Sequence, residues 1–173
     1  MNFTEKLRKI KAMVFDIDGV LSTSTVVLLP DGEKARVINI KDGYSLHLAG
    51  QKGILLVIIS GGMSDSFQSQ YTRLGFTDIY TGVSVKIEKL HEFIAKYKLD
   101  PTEILYMGDD IPDYEVMKFV GLPVCPADAV SEIKAISAYV SSRNGGEGCV
   151  RDIVEQILKA QGHWMNCDKA YSW

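Results

Sequence analysis

Short apolar stretches alternate with helical patterns along most of this chain, and this alternation restricts the possible folds more than any other feature. Candidate buried strands lie at residues 13–15, 55–59 and 104–107, with shorter ones at 122–125 and 138–140. Helical patterns lie between them at residues 64–74, 84–97, 113–120 and 148–161. Strands that are apolar throughout and separated by helices indicate a parallel sheet covered on both faces. The sequence therefore predicts an α/β fold with a Rossmann-like, doubly wound parallel sheet.

The length of 173 residues, with 46% hydrophobic and 24% charged residues, is typical of one soluble domain. We expect a single domain over residues 1–161 and a C-terminal tail over residues 162–173. The tail includes Trp164, Tyr171 and Trp173, which is unusually aromatic for a solvated terminus. We therefore expect it to dock on a partner chain.

One segment interrupts the alternation of strands and helices. An apolar run at residues 26–29 leads into Pro30-Asp31-Gly32 and then into a second β-rich run at residues 36–40. Two such runs around a Pro-Asp-Gly turn predict a β-hairpin, at about residues 22–40, inserted after the first strand. Exposed apolar edge strands promote association, so the apolar content of this segment argues against full exposure of the hairpin to solvent.

Polar residues directly follow three of the predicted strands. These residues are Asp16-Ile17-Asp18-Gly19 after the first, Ser60-Gly61-Gly62 after the second, and Gly108-Asp109-Asp110 after the third, with Asp113 just beyond. The carboxyl ends of parallel strands share one edge of the sheet, which is where open α/β folds bind ligands. We therefore expect these side chains to converge on one site.

The carboxylates of this site predict a metal ion. Asp16 and Asp18 can lie on either side of one small pocket, and Asp109 and Asp113 add further negative charge. Taken singly, each Asp could equally cap a helix or lie in a solvated turn. As a set they repel one another unless a cation neutralises them, and oxygen ligands alone favour a hard ion such as Mg²⁺.

Magnesium with carboxylates suggests phosphoryl chemistry. A carboxylate can attack phosphorus and form an aspartyl-phosphate, while a second acid protonates the leaving oxygen and later activates water. Ser60 and the amides of Gly61 and Gly62 can donate hydrogen bonds to phosphoryl oxygens, and Lys86 can supply positive charge. Lys86 alone would more commonly be a solvated surface lysine.

These residues resemble the four motifs of the haloacid-dehalogenase-like phosphatases. Asp16 to Leu21 resembles motif I, Ser60 motif II, Lys86 motif III, and Gly108 to Asp113 motif IV, in the same order. The resemblance implies a Mg²⁺-dependent phosphatase in which Asp16 is the nucleophile and a metal ligand. It also implies that Asp18 is the general acid/base and binds the metal through its carbonyl, and that Asp109 completes the metal site. Asp110 and Asp113 would support that site, and Ser60 and Lys86 would bind the phosphoryl group.

The stretches between the motifs leave no room for a cap domain. The hairpin occupies much of residues 20–59, and one helix, a short strand and a loop occupy residues 61–85. This shape resembles one capless branch, the 3-deoxy-D-manno-octulosonate 8-phosphate phosphatases. Lys41-Asp42-Gly43 and the glycine-rich stretch Arg143 to Gly148 also resemble that branch. The resemblance implies a homotetramer in which a neighbouring chain covers the active site, and a phosphorylated sugar acid as substrate.

The residues that would recognise the sugar are less clearly indicated. The candidates are Lys41, Gly61, Gly62, Arg73, Gly145, Gly146 and Gly148. Many members of the branch have Arg directly after the Ser-Gly of motif II, whereas this chain has Gly62. If that Arg holds the sugar carboxylate, then Lys41, Arg73 or a group from a neighbour's tail must do so here.

Two other functions remain open from the sequence. The scaffold also fits 2-keto-3-deoxy-nononate 9-phosphate or a related sugar phosphate as the substrate. A receiver-like phosphoacceptor domain would also combine an α/β fold, Mg²⁺ and a phosphorylated Asp, but it would lack the acid that Asp18 provides.

Charge and cysteine content restrict the partners. Nineteen basic against twenty-two acidic residues give a net charge of −3, with no long basic block, so nucleic acid is not an expected partner. No apolar run is long enough to span a bilayer, so we expect no membrane partner. Three scattered cysteines without CxxC spacing favour a cytoplasmic enzyme over a disulfide-linked one.

Overall fold

A computed structural model of the chain describes residues 2–62 and 65–166, with the backbone alone for residues 65–67. The strands are β1 (Ala12–Phe15), β2 (Val27–Leu28), β3 (Lys34–Ala35), β4 (Leu55–Ile59), β5 (Asp78–Tyr80), β6 (Ile104–Met107), β7 (Leu122–Cys125) and β8 (Tyr139–Val140). The helices are α1 (Phe3–Lys9), α2 (Ile40–Gln51), α3 (Asp65–Arg73), α4 (Lys86–Tyr97), α5 (Tyr114–Phe119), α6 (Ser131–Ile136) and α7 (Cys149–Ala160), and 3₁₀ turns lie at Pro101–Glu103 and Ile111–Asp113.

The central sheet has six parallel strands in the order β5-β4-β1-β6-β7-β8. β1 lies in the middle and is fully buried, paired with β4 on one side and β6 on the other. The order runs outward in both directions from β1, which confirms the doubly wound, Rossmann-like α/β fold predicted from the sequence.

Alternate side chains of β1 enter two separate cores, one on each face of the sheet. Met13 and Phe15 pack with apolar residues of α1, α2, α3 and α7. Ala12 and Val14 pack with residues of α4, α5 and α6. Because successive strand side chains point to opposite faces, a strand covered by helices on both sides must be apolar throughout.

The hairpin insertion is confirmed, but its second strand lies earlier than the sequence suggested. β2 and β3 pair antiparallel, and the turn between them closes through the amide of Leu29, which donates to the carbonyl of Glu33. Residues 36–40, predicted as the second strand, instead lead into α2, because Asn39 caps that helix by accepting from the amide of Lys41. Capping and tertiary contacts therefore outweigh the β-propensity of Val37 and Ile38.

Candidate active site

Three strand ends bring the predicted site residues together at the carboxyl edge of the sheet. Asp16 directly follows β1 and Ser60 directly follows β4, whereas Asp109 lies two residues beyond the end of β6. These three strands are neighbours in the sheet. The side chain of Ser60 is 2% exposed and that of Asp16 is mostly buried. The convergence expected from the parallel topology is therefore present.

Lys86, the first residue of α4, connects two of the carboxylates. Its Nζ lies 2.8 Å from Oδ2 of Asp16 and 2.7 Å from Oδ1 of Asp113. Burial disfavours the charged amine, but the adjacent carboxylates of Asp113 and Asp16 outweigh it and raise the pKa of Lys86. The ammonium group is thus held charged inside the site rather than in solvent, which removes the surface-lysine interpretation.

Asp113 is the fully buried centre of this network. Its Oδ1 accepts from Lys86 and from the hydroxyl of Tyr106 at 2.6 Å, and its Oδ2 accepts from the amide of Asp109 at 3.1 Å. With both oxygens bonded to protein groups, Asp113 anchors Lys86 and the loop that carries Asp109. Tyr106 was not anticipated, because an apolar strand residue gives no sign that its hydroxyl contacts a site.

The carboxylate of Asp109 lies close to the backbone of motif I. A β-carbon at Gly19 would overlap this carboxylate, and Gly19 has a φ of +85°. Burial, together with the charges of Asp113, Asp16 and Asp110, raises the pKa of Asp109 to about 8. Burial, followed by repulsion from Asp113, also raises the pKa of Asp16 despite the contact with Lys86.

The residues present fit a divalent cation. One carboxylate oxygen from each of Asp16, Asp109 and Asp113 lies within 4.8 Å of the others. Lys86 is the lysine paired with this cluster, so the raised pKa values of Asp16 and Asp109 reflect excess negative charge that a cation would relieve. The all-oxygen donor set is the one that Mg²⁺ prefers. Since Asp113 is occupied by protein donors, Asp16 and Asp109 are the carboxylates available to the ion.

Asp18 lies at the opening of the site and is held by a residue that the sequence did not identify. Nε of Arg36 donates to Oδ1 of Asp18 at 2.6 Å, and its Nη2 donates to Oδ2 at 3.0 Å. The side chain of Arg36 is 2% exposed, whereas that of Asp18 is 38% exposed. A single Arg in a segment predicted to be a strand carries no sequence signal for this contact.

Ser60 and the two glycines after it form the wall next to Asp18. The amide of Gly62 donates to Oγ of Ser60 at 3.3 Å, and the backbone of Ser60 is fixed on both sides by Tyr80 and Val83. Gly61 is exposed and has open space around most of its α-carbon. Their binding of the phosphoryl group stays a prediction, and the geometry is compatible with it.

The glycine-rich loop packs directly against motif I. A β-carbon at Gly145 would overlap the carbonyl of Gly19, and one at Gly146 would overlap the amide of Thr23. The amide of Gly146 donates to the carbonyl of Val20 at 2.9 Å. Gly148 has a φ of +105° where α7 begins. Gly145 and Gly146 therefore pack against the back of the motif I loop, and the contact of all three glycines with substrate stays a prediction.

The two basic candidates lie outside this cluster. Lys41 is exposed at the start of α2, and Arg73 ends α3, where it lines a cavity of about 330 Å³ with His47, Gln70 and Leu74. Neither side chain pairs with a carboxylate of the described residues. Their role in holding the sugar carboxylate stays a prediction.

Asp42 has a structural contact that its sequence context did not suggest. It is 3% exposed and accepts from the amide of Arg151, in the first turn of α7, at 2.7 Å. Burial raises the pKa of Asp42 to about 6. Asp42 therefore joins α2 to α7, and Lys41-Asp42-Gly43 is at least partly a packing motif.

The beginning of the tail lies on its own chain. The amides of His163 and Trp164 donate to the carbonyl of Leu158, and Trp164 packs edge-to-face on Tyr44 with Arg151 over its ring. Tyr171 and Trp173, on which the expected docking to a partner depends, lie outside the described residues.

Comparisons with known proteins agree with this fold. A family model described as haloacid dehalogenase-like hydrolase matches residues 62–153. The 3-deoxy-D-manno-octulosonate 8-phosphate phosphatase KdsC of Escherichia coli (strain K12) is 34% identical over 157 residues, which are 91% of this chain and 84% of the relative. Among solved structures, the corresponding phosphatase of Yersinia pestis superposes with a TM-score of 0.90 at 32% identity, covering 92% of this chain and 86% of that one. The Moraxella catarrhalis phosphatase in complex with magnesium ion, phosphate ion and KDO superposes with a TM-score of 0.89 at 30% identity, covering 92% and 91%.

The family model covers more than half of this chain, and these relatives are at least 30% identical over most of it. The chain belongs to the haloacid dehalogenase-like hydrolases and, within them, to the 3-deoxy-D-manno-octulosonate 8-phosphate phosphatase family. This membership favours a hydrolase over the receiver-like phosphoacceptor. Among the described residues, none of the helices combines the length and apolar character that crossing a membrane would require.

Proposed function

We propose that this protein is a Mg²⁺-dependent phosphatase that hydrolyses 3-deoxy-D-manno-octulosonate 8-phosphate to the free sugar acid and phosphate. The observation that carries the proposal is the cluster of Asp16, Asp109 and Asp113 around Lys86, at the sheet edge where ligands bind. Relatives named for this activity match nearly the whole chain, and one of them holds magnesium, phosphate and KDO.

In the first half of the reaction, a carboxylate oxygen of Asp16 attacks phosphorus and the bond from phosphorus to the sugar oxygen breaks. Asp18 donates a proton to that oxygen, which leaves as the alcohol. Lys86 and the donors around Ser60 offset the negative charge of the phosphoryl oxygens. When Mg²⁺ is bound, Asp16, Asp109 and the carbonyl of Asp18 would hold it, and it would supply further neutralising charge there.

In the second half, Asp18 takes a proton from water, and the water oxygen attacks phosphorus of the aspartyl-phosphate. The bond from phosphorus to Asp16 breaks, which releases inorganic phosphate and restores the carboxylate. Asp113 acts indirectly, because its carboxylate positions Lys86 and accepts from the amides of Asp109 and Asp110 in the motif IV loop. Asp110 supports the metal site as part of that loop.

The chain works, in this proposal, as a cytoplasmic homotetramer in which a neighbouring copy covers the active site. In support, the hairpin region exposes apolar side chains, with Val27 61%, Leu28 71% and Ile40 81% exposed. A patch of this kind commonly marks an interface. The thiols of Cys125 and Cys149 are free and buried, in keeping with a reducing compartment. Sedimentation equilibrium at micromolar concentration tests the assembly: we expect a tetramer, and a monomer would contradict it.

The catalytic assignment is tested with Asp16→Ala and a matched variant, Asp100→Ala, at an exposed residue before the 3₁₀ turn that precedes β6, at the sheet edge opposite the site. We expect Asp16→Ala to release no detectable phosphate from any ester in Mg²⁺, and Asp100→Ala to retain wild-type turnover. Mg²⁺-dependent phosphate release that persists in Asp16→Ala would show that another residue is the nucleophile.

A further inference from the structure

Arg36 and Asp18 form a two-point contact that fixes the orientation of a carboxylate. A planar guanidinium that donates through both Nε and Nη2 matches the two oxygens of Asp18 and determines the plane of the carboxylate, which a single hydrogen bond cannot do. The only other side chain bonded to this carboxylate among the described residues is Ser22, at a long 3.4 Å. The position of Asp18 therefore depends mainly on Arg36.

The segment that carries Arg36 is itself tied to motif I. The amide of Thr23 donates to the carbonyl of Val37 at 3.2 Å, and Ser22 forms a bridge with Ile38. Residues 22–23 are supported from behind by the close approach of Gly146. The backbone next to Arg36 is thus held by hydrogen bonds to motif I, although the hairpin strands β2 and β3 are exposed.

Gly62 provides the space in which this contact forms. A β-carbon at residue 62 would lie 3.0 Å from Nη2 of Arg36 and 3.2 Å from Oδ2 of Asp18. Both distances are shorter than most contacts of a β-carbon, so a side chain at residue 62 would require Arg36 or Asp18 to shift slightly. This accounts for glycine at residue 62 without requiring that its backbone adopt a special conformation.

We propose that Arg36 is the positioning residue for the acid–base step, holding Asp18 in the orientation from which it serves the leaving oxygen, with Gly62 keeping the place open. The inference rests on the proposed phosphatase function but not on the identity of the sugar. It assigns a role in the reaction to Arg36, a residue outside the four motifs that lies just after the hairpin.

The dependence of the rate on the leaving group separates positioning from a merely structural role. For substituted phenyl phosphates of similar size, kcat/KM reports the steps up to release of the phenol, so proton donation to the leaving oxygen matters more as that phenol becomes less acidic. We expect Arg36→Ala to lower kcat/KM for phenyl phosphate by about 10- to 100-fold, and for dinitrophenyl phosphate by less than about 3-fold. Loss of fold or of a general substrate contact would lower both in the same proportion, and such a parallel loss would overturn the proposal.

Three further variants complete the test. Arg8→Ala, on an exposed face of α1, is the matched control and should follow the wild type across the series. Arg36→Lys keeps the charge without the two-point contact, so we expect a steepened dependence on the leaving group; wild-type behaviour of this variant would overturn the role of the guanidinium geometry. Gly62→Ala should make kcat/KM depend more steeply on the leaving group, but less so than Arg36→Lys does. Adding Gly62→Ala to Arg36→Ala should have a smaller effect than adding it to the wild type, because the new methyl group no longer contacts a guanidinium.

These outcomes are distinguishable from failure of the proposed substrate. If the wild type cleaves phenyl phosphates but not the octulosonate phosphate, the substrate assignment fails, while the change in leaving-group dependence still decides the role of Arg36.

Discussion

Nζ of Lys86 lies 2.7 Å from Oδ1 of Asp113, a carboxylate with no exposed surface. The lysine that we propose to bind the phosphoryl group is therefore held by a buried carboxylate, and both charged groups are almost completely shielded from solvent. This arrangement makes the fold and the site interdependent, because the same ion pair stabilises both.

Removing one member of this pair should cost more than removing both. Lys86→Met leaves Asp113 buried without its cation, and we expect the free energy of unfolding to fall by about 3–5 kcal/mol. The double variant Lys86→Met/Asp113→Asn should be more stable than Lys86→Met alone, and both should be inactive. Urea denaturation measures the difference; equal stability of the single and double variants would contradict the pairing.

Binding of Mg²⁺ should depend on pH through Asp109. Because the pKa of Asp109 is raised to about 8 in the metal-free protein, its carboxyl holds a proton that the ion must displace at lower pH. We expect the apparent affinity to rise by up to about tenfold per pH unit below pH 8, with proton release on binding. Calorimetric titration in buffers of different ionisation enthalpy measures both, and affinity that is constant from about pH 6 to about pH 8 would be inconsistent with this view.

Gly19 and Gly53 offer a matched pair for testing the contact between motif I and Asp109. Their φ angles are +85° and +84°, but only at Gly19 would a β-carbon meet another group, the carboxylate of Asp109. We expect Gly19→Ala and Gly53→Ala each to lose about 1–2 kcal/mol of stability from the backbone conformation. Only Gly19→Ala should also lose Mg²⁺ affinity and turnover. Equal activity of the two variants would exclude steric control of Asp109 by motif I.

The contribution of Asp42 to the free energy of unfolding should decrease as the pH rises. Its pKa is raised from 3.8 to about 6 by burial, so folding favours the protonated form. The resulting stabilisation is complete below about pH 4 and is lost as the pH rises to about 6. Relative to Asp42→Asn, which does not titrate, the wild type should lose about 1–3 kcal/mol over that range. Parallel stability curves for the two proteins would contradict this assignment.

The sheet and the positions of the motif carboxylates could be predicted from the sequence, but the contacts that hold these carboxylates in place could not. Buried strands with polar ends are encoded locally, so the convergence of Asp16, Ser60 and Asp109 followed from the strand pattern alone. Arg36 was missed because its partner Asp18 is distant in sequence, and only the folded path of residues 22–38 brings them together. The helix α2 was not predicted at all, because residues 36–40 are β-rich and only the cap at Asn39 shows that a helix begins there.

The central claim is tested most directly by kcat/KM of the wild-type protein in Mg²⁺ for 3-deoxy-D-manno-octulosonate 8-phosphate and 2-keto-3-deoxy-nononate 9-phosphate, measured side by side with Asp16→Ala as the blank. We expect Mg²⁺-dependent phosphate release from both esters or from the octulosonate ester alone, with the octulosonate ester preferred. A preference for the nononate ester, or turnover of neither, would contradict it.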